Sequence, residues 1–377
     1  TIVAFYVTKR QILCAYHNIF LLDSCARSFN NVTKHAVRAG YDERSMTYVL
    51  AADLGTTALK AVLADERGHS LASASAQYET VVDREGWAEQ EPAAWWEGFV
   101  AACRSLASEK PDAFSELAFV SLCGQMHTHV YLAADSRPLR RAISWMDQRS
   151  SDIVAELRAD ADTARLIKSR TANAVTATYT APNLLWVQRN DREIWRKTRR
   201  VLVAKDYVKY LLTDEMVTDY SEAAGTLLFN VAEAAWSPEL LELFGISEEA
   251  LPRVAPAASV MGRVTREAAR QTGLPVGTPV VNGATDNSTA ALGAGVTRAG
   301  EATAIIGTAG VISVCSDRPI PDPNDAVVCW NYALESKWIN LGVMQTAGES
   351  LNWFRRAFDT DTEDQDSDVF AEYNKLA

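Results

Sequence analysis

The fold this sequence predicts is α/β in two domains, and three observations predict it. Apolar strand-like runs alternate with longer amphipathic segments along most of the 377 residues. A strand–Gly-Thr-Thr–strand unit near residue 53 is echoed by a strand–Gly-Thr-Ala-Gly–strand unit near residue 307, about 250 residues later. Small and polar clusters fall just past the carboxyl ends of apolar runs, where open α/β sheets hold ligands. Two facing domains, each offering one hairpin loop, form a clamp suited to a nucleotide.

Composition narrows the function. The hydrophobic share is 48% and the charged share 23%, as in an ordinary globular protein with room for two cores. A formal net charge of -11 argues against a nucleic-acid partner, which wants a basic face. No run of eighteen apolar residues is present, so no membrane partner is expected. The six cysteines show no close-paired ligand spacing, and reduced thiols in a cytoplasmic protein are the simplest reading. No GxxxxGK[ST] occurs and no strand runs into GxGxxG, which excludes the P-loop and dinucleotide-binding designs.

Residues 1–46 lack the patterning seen downstream and read as an extension without a catalytic role; the first domain is expected from residue 47. There a strand ends on Asp53, a Gly55-Thr56-Thr57 turn follows, and further strands run over 59–64 and 70–75. Gly55 lets backbone N–H groups approach a phosphate, and the threonines add hydroxyls. Asp53 is placed to hold Mg²⁺ through water; Lys60 either nears a phosphate or faces solvent. A helix is expected from Pro92, carrying Trp95, Trp96 and Phe99. The apolar run 119–123 empties into Gly124-Gln125-Met126-His127, so Gln125 and His127 are candidates for hydroxyl recognition, with His129 a weaker one at the surface. Trp145 offers a platform for a sugar's C–H face, and Asp147 can accept from its hydroxyls. Arg149 either orients Asp147 or touches substrate, and a purely buried network of the three is the alternative.

Residues 150–170 read as amphipathic helix, 180–187 as a helix start, and 201–203 as a strand feeding a helix that ends before Asp214. Ala223 to Thr226 is small enough for close packing near a pocket, with Asp219 and Ser221 weak substrate candidates. The strand 279–281 leads into Gly283-Ala284-Thr285-Asp286-Asn287. A carboxylate at that junction can take a proton from an attacking hydroxyl, with Asn287 holding a neighbouring one; the plainer reading is that Asp286 caps the next helix. Gly307, Thr308 and Gly310 form the second phosphate candidate.

Taken in order, DLGTTALK (53–60), WAEQEP (87–92), GQMH (124–127), W-x-D-x-R (145–149), TAPNLLWV (180–187), KDY (205–207), DxSxAxGT (219–226), GATDN (283–287) and GTAG (307–310) resemble the FGGY carbohydrate kinases. GQMH favours the branch that phosphorylates ketopentoses, with D-xylulose the expected sugar. The resemblance implies the actin-like ATPase architecture, two ribonuclease H-like domains closing over ATP, Mg²⁺ and a sugar. It makes Asp286 the catalytic base and Asp53 the organiser of Mg²⁺. Gly55, Thr56, Thr57 and Lys60 with Gly307, Thr308 and Gly310 would hold ATP, while Met126, His127, Trp145, Asp147, Asp286 and Asn287 would line the sugar pocket. Met146, Ala204 and Thr285 depart from the branch's usual Asn, Pro and Gly. An actin-like assembly ATPase shares the phosphate loops but not the Trp/His/Asp pocket. A homodimer is a further expectation.

The resemblance places the sugar-binding domain at 47–298 and an incomplete ATP-binding domain at 299–377, below the ~100–150 residues typical of a domain. No glycine-rich adenosine segment follows Gly310. A helix is read over 348–358 and a solvated acidic loop over 359–368. These residues alone are expected to bind ATP weakly and to phosphorylate sugar poorly or not at all, while the first domain can still fold.

Overall fold

The computed structural model describes residues 3–8, 11–15, 47–306 and 310–344, with scattered positions between 346 and 357. In chain order the strands are β1 (Val3–Thr8), β2 (Gln11–Ala15), β3 (Tyr48–Leu54), β4 (Ala58–Asp65), β5 (Ser70–Gln77), β6 (Glu89–Gln90) and β7 (Leu117–Gly124). There follow β8 (His129–Leu132), β9 (Ala142–Ile143), β10 (Arg200–Val203), β11 (Val217–Asp219), β12 (Phe229–Asn230), β13 (Ala235–Trp236) and β14 (Arg253–Ala255). The last are β15 (Val260–Arg263), β16 (Pro279–Val281), β17 (Ala302–Ile306), β18 (Gly310–Ser316), β19 (Val327–Asn331) and β20 (Trp338–Met344).

The first domain is organised by a six-stranded sheet of order β15-β16-β7-β3-β4-β5. β3, β4 and β5 form an antiparallel meander, whereas β3, β7 and β16 run parallel. Leu59, Ala61 and Leu63 alternate inward along β4, as one covered face requires. The helix Pro92–Glu109 covers it with a stripe of Trp95, Phe99, Ala102, Cys103 and Leu106, at the spacing of one helical face. The parallel trio matters for the site: Asp53 ends up beside Cys123 in register, and the chain after β16 returns to the same edge, where Thr285 bridges Gly124.

A second sheet, β19-β20-β18-β17-β1-β2, is antiparallel throughout. Part of the segment expected as a featureless extension therefore adds two strands to this sheet. One apolar cluster joins Tyr179, Phe229 and Leu240 to Cys315, Trp330, Tyr332, Ile339 and Leu341, so the core runs across the position where the two domains were expected to part.

Two local expectations are corrected. Residues 150–170 are two helices, Ser151–Ala159 and Ala161–Thr171, because Asp160 leaves helical geometry and its carboxylate accepts from Asp162 N and Thr163 N. His129 is completely buried, since β8 lies between β10 and β9 with all four residues covered. The acidic loop and most of the helix read over 348–358 lie outside the described residues. Among the described residues, no helix is long and apolar enough to cross a membrane.

Candidate active site

The Gly55-Thr56-Thr57 turn is held from four sides. Gly55 N donates to Ala58 O at 3.2 Å, and a Cβ on Gly55 would lie 3.1 Å from that same oxygen. Tyr78 Oη donates to Gly55 O, Gln90 Nε2 to Thr56 O at 2.6 Å, and Trp145 Nε1 to Thr56 Oγ1 at 3.0 Å. The indole expected to platform a sugar is thus anchored on that turn. Thr57 is exposed at the tip and Lys60 is exposed beside Asp53, its cross-strand partner.

Asp53 is half-buried, and burial holds its carboxyl above the usual range, partly offset by the Cys123 thiol and the Lys60 charge. Cys123 Sγ approaches Asp53 Oδ1 at 3.6 Å. This thiol reads in the sequence only as one more reduced cysteine; its place between two carboxylates follows from strand pairing, which no local pattern announces. Burial, then the Asp53 charge, pushes it far above its ordinary value, so it stays a neutral donor.

Asp286 opens the helix Asp286–Gly293 but does not cap it. Thr285 is the cap, its side chain accepting from Ser288 N, which removes the plainer of the two readings. Asp286 Oδ1 accepts from Asn287 N at 2.7 Å and Asn287 Nδ2 at 3.1 Å. Among the described residues no hydrogen bond reaches Oδ2. Burial raises this carboxyl to about 6, Asn287 N–H opposing and the Asp53 charge adding to the rise. The carboxylate is therefore recessed, raised to about 6 and close enough to feel the Asp53 charge, with Oδ2 left without a hydrogen-bond partner among the described residues.

His127 sits beyond these carboxylates, past the end of β7, in the left-handed region at φ +67°. Its Nδ1 lies 2.6 Å from Gly225 O, and burial pushes its pKa down to about 4. A neutral ring donating from Nδ1 leaves Nε2 as an acceptor, the complement of a hydroxyl. Tyr179 and Trp330 stand edge-on to it at 4.9 and 5.6 Å. Met126 is buried beside it, its methyl end against Gly225.

Asp147 belongs elsewhere. It is 0% exposed; Oδ1 accepts from Arg149 N and Nε, Oδ2 from Arg149 Nη2 and Ala88 N. Arg149 also pairs with Glu89 and stacks on Trp87 at 3.7 Å. With its lone pairs spent inside, Asp147 has nothing to offer a sugar and is corrected to a structural ion pair. Asp219 and Ser221 are likewise fully buried. Gly307 and Thr308 lie outside the described residues; Gly310 opens β18, where a Cβ would sit 3.1 Å from Ala347 Cβ. Gln90, inside the WAEQEP motif yet not singled out, emerges as the residue tying that motif to the Gly55-Thr56-Thr57 turn.

Residues 48–293 match the FGGY family of carbohydrate kinases, N-terminal domain, and the chain belongs to this family. It is 34% identical over 313 residues to the xylulose kinase of Lactococcus lactis, covering 83% of this chain and 62% of that protein. A crystal structure described as a xyloylose kinase from Brucella ovis superposes with a TM-score of 0.78 at 34% identity, covering 83% of this chain and 63% of that one. The gluconokinase of Bacillus subtilis is 28% identical over 313 residues, 83% of this chain and 60% of that protein. The fold is accordingly the actin-like ATPase fold of the sugar kinases. The chain spans less than two thirds of the length of these relatives.

Proposed function

We propose that this chain takes part in ATP-dependent phosphorylation of a ketopentose, D-xylulose first. The observation that carries the reading is Asp286: a recessed carboxylate raised to about 6, with no hydrogen bond to Oδ2 among the described residues, beside Asp53 and its glycine turn. In that role Oδ2 takes the proton of a sugar hydroxyl. The freed oxygen forms its bond to the γ-phosphorus of ATP, and the bond to the β-phosphate oxygen breaks to release ADP.

Gly55, Thr56 and Thr57 would cradle phosphate from one side, with Lys60 nearby, and Gly307, Thr308 and Gly310 from the other. Met126, His127, Trp145 and Asn287 would frame the sugar. Asp53 would hold Mg²⁺ through a carboxylate oxygen of the hard kind that ion prefers; among the described residues no group of three ligating side chains forms a closed cage. When bound, the ion would offset phosphate charge. Residues 47–298 would then be the sugar-binding unit and 299–377 part of the ATP-binding one, with 1–46 outside the chemistry. The likeness to a gluconokinase at 28% identity supports gluconate as the second reading.

The test is calorimetric titration and coupled ADP detection with D-xylulose, D-ribulose, D-gluconate and glycerol. D-xylulose is expected to give the largest kcat/KM. Asp286→Asn is expected to lose ~10²–10⁴-fold in rate with sugar affinity kept. A clear win for gluconate overturns the sugar; near-full turnover by Asp286→Asn overturns the base.

A further inference from the structure

Two motifs that read mainly as scaffold in the sequence meet the loop leading to Asp286 in one buried network. Lys205 and Lys209 lie on the helix Ala204–Thr213, Asp219 and Ser221 where β11 enters the helix Tyr220–Ala224, and Asn282 and Thr285 on the loop after β16. None of the six is more than 1% exposed. Lys205 Nζ donates to Asp219 Oδ1 at 2.9 Å, and Ser221 Oγ donates to Asp219 Oδ2. Ser221 Oγ in turn accepts from Thr285 N at 3.1 Å. Lys205 and Lys209 also donate to Asn282 O, at 3.3 and 2.8 Å.

Between these anchors the loop is pressed onto the sheet. Gly283 has φ +73°, and a Cβ there would fall 1.9 Å from Leu122 O, so only glycine lets the backbone pass. Every residue from 282 to 285 is thereby fixed, and the next residue is Asp286. Apolar packing of equal volume would hold a helix to a sheet at least as well as buried ion pairs do. A directional acceptor is needed only where one backbone N–H must stay in one place.

We propose that Ser221, oriented by the Lys205–Asp219 pair, is a positioning residue for Asp286. It fixes Thr285 N, and with it the capping turn that aims the Asp286 carboxylate. This rests on the reading of Asp286 as the base. The charged and titratable groups around the network and Asp286 are Asp53, Cys123, Lys205, Asp206, Lys209, Asp219 and Glu222.

The experiment uses Ser221→Ala in the full 377-residue chain, with Ser221→Thr as the conservative variant. The Asp286 carboxyl is followed by ¹³C NMR titration, its signal assigned by its loss in Asp286→Asn. A loosened turn admits water, so the Ser221→Ala midpoint is expected to fall by about half a unit or more from about 6 toward the ordinary carboxylate range. In coupled turnover, kcat falls about tenfold while sugar affinity stays within about twofold, and Ser221→Thr restores both. A wild-type midpoint in Ser221→Ala overturns the proposal even if its melting temperature drops, since that drop alone is a structural effect. Should the alanine variant not fold, Ser221→Cys keeps the volume, accepts poorly and carries the same expectation. Asp286→Asn with wild-type turnover would sink the base reading instead, leaving the titration result intact.

Discussion

Replacing Gly225 with alanine would test whether the imidazole of His127 is held where a sugar hydroxyl needs it. Gly225 closes the helix Tyr220–Ala224 at φ -70° and ψ -3°, so the backbone accepts any residue. The added Cβ would lie 3.0 Å from His127 Nδ1, 3.0 Å from Met126 Cε and 3.1 Å from His127 Cε1. Comfortable carbon contacts begin near ~3.5 Å, so the neighbours must yield by roughly half an ångström. Met126 can swing its methyl aside. The imidazole cannot, because Gly225 O holds Nδ1 at 2.6 Å and two aromatic rings flank it. Overpacking of this kind costs about 1–3 kcal/mol, and tilting Nε2 off its partner forfeits a neutral hydrogen bond of about 0.5–1.5 kcal/mol. That second figure converts to sugar binding weaker by about 2- to 12-fold. Calorimetric titration of Gly225→Ala reads the affinity, and a thermal melt reads the strain. An unchanged dissociation constant together with a lowered melting temperature would refute the role of His127 while leaving the packing argument intact.

Two further outcomes follow from buried carboxyl groups. In the proposed role as base, Asp286 must be ionised for turnover, so log kcat is expected to fall with unit slope below about 6 and to flatten above; a rate–pH profile with its acid limb near the ordinary value for Asp would contradict this. Glu222 is fully buried, with neither carboxyl oxygen hydrogen-bonded among the described residues, and burial first, then the nearby carboxylates, raises it well above 4.5. The folded state thus binds its proton more tightly than the unfolded state, and its contribution to stability is lost as pH rises above 4.5. Glu222→Met, of similar length and free of the unpaired acid, is expected to raise the melting temperature at pH 8, by an amount that shrinks toward pH 5. A variant equal to or below wild type at both pH values would show that Glu222 has a partner.

What could be read from residue order was whatever is local. The strand–turn–strand at Asp53, the helix opened by Pro92 and the junction at Asp286 each announce themselves within a few residues. The packing role of Gly225 was legible too, because a run of small residues in a polar neighbourhood has few other uses. The misjudged residues are those decided by distant partners. Asp147 looks like a sugar ligand until Ala88 and Glu89, on a separate strand, close the network around it. Lys205 and Lys209 fall in a segment that reads only as scaffold, because their counter-charges and acceptors come from β11 and the loop after β16. The break at Asp160 was within reach, since an aspartate followed by N–H groups two and three residues on is an ordinary helix start.

The apolar cluster that joins Tyr179 and Phe229 to Trp330, Ile339 and Leu341 also bears on how the molecule comes apart. Trp330 lies on β19 yet packs on His127, a residue of the other lobe. Asn173 donates to Cys329 O and accepts from Cys329 N, both at 2.8 Å, and Tyr332 Oη donates to Val296 O at 2.8 Å. A scission after residue 298 would therefore strip His127 of one wall and remove both Cys329 contacts of Asn173, leaving its amide group only Thr171 O. The packing around His127 as observed therefore draws on residues as far as β20. Denaturation should melt pocket and second sheet in a single cooperative step, so proteolytic trimming from the C-terminal side can proceed only as far as β20 before the pocket goes with it.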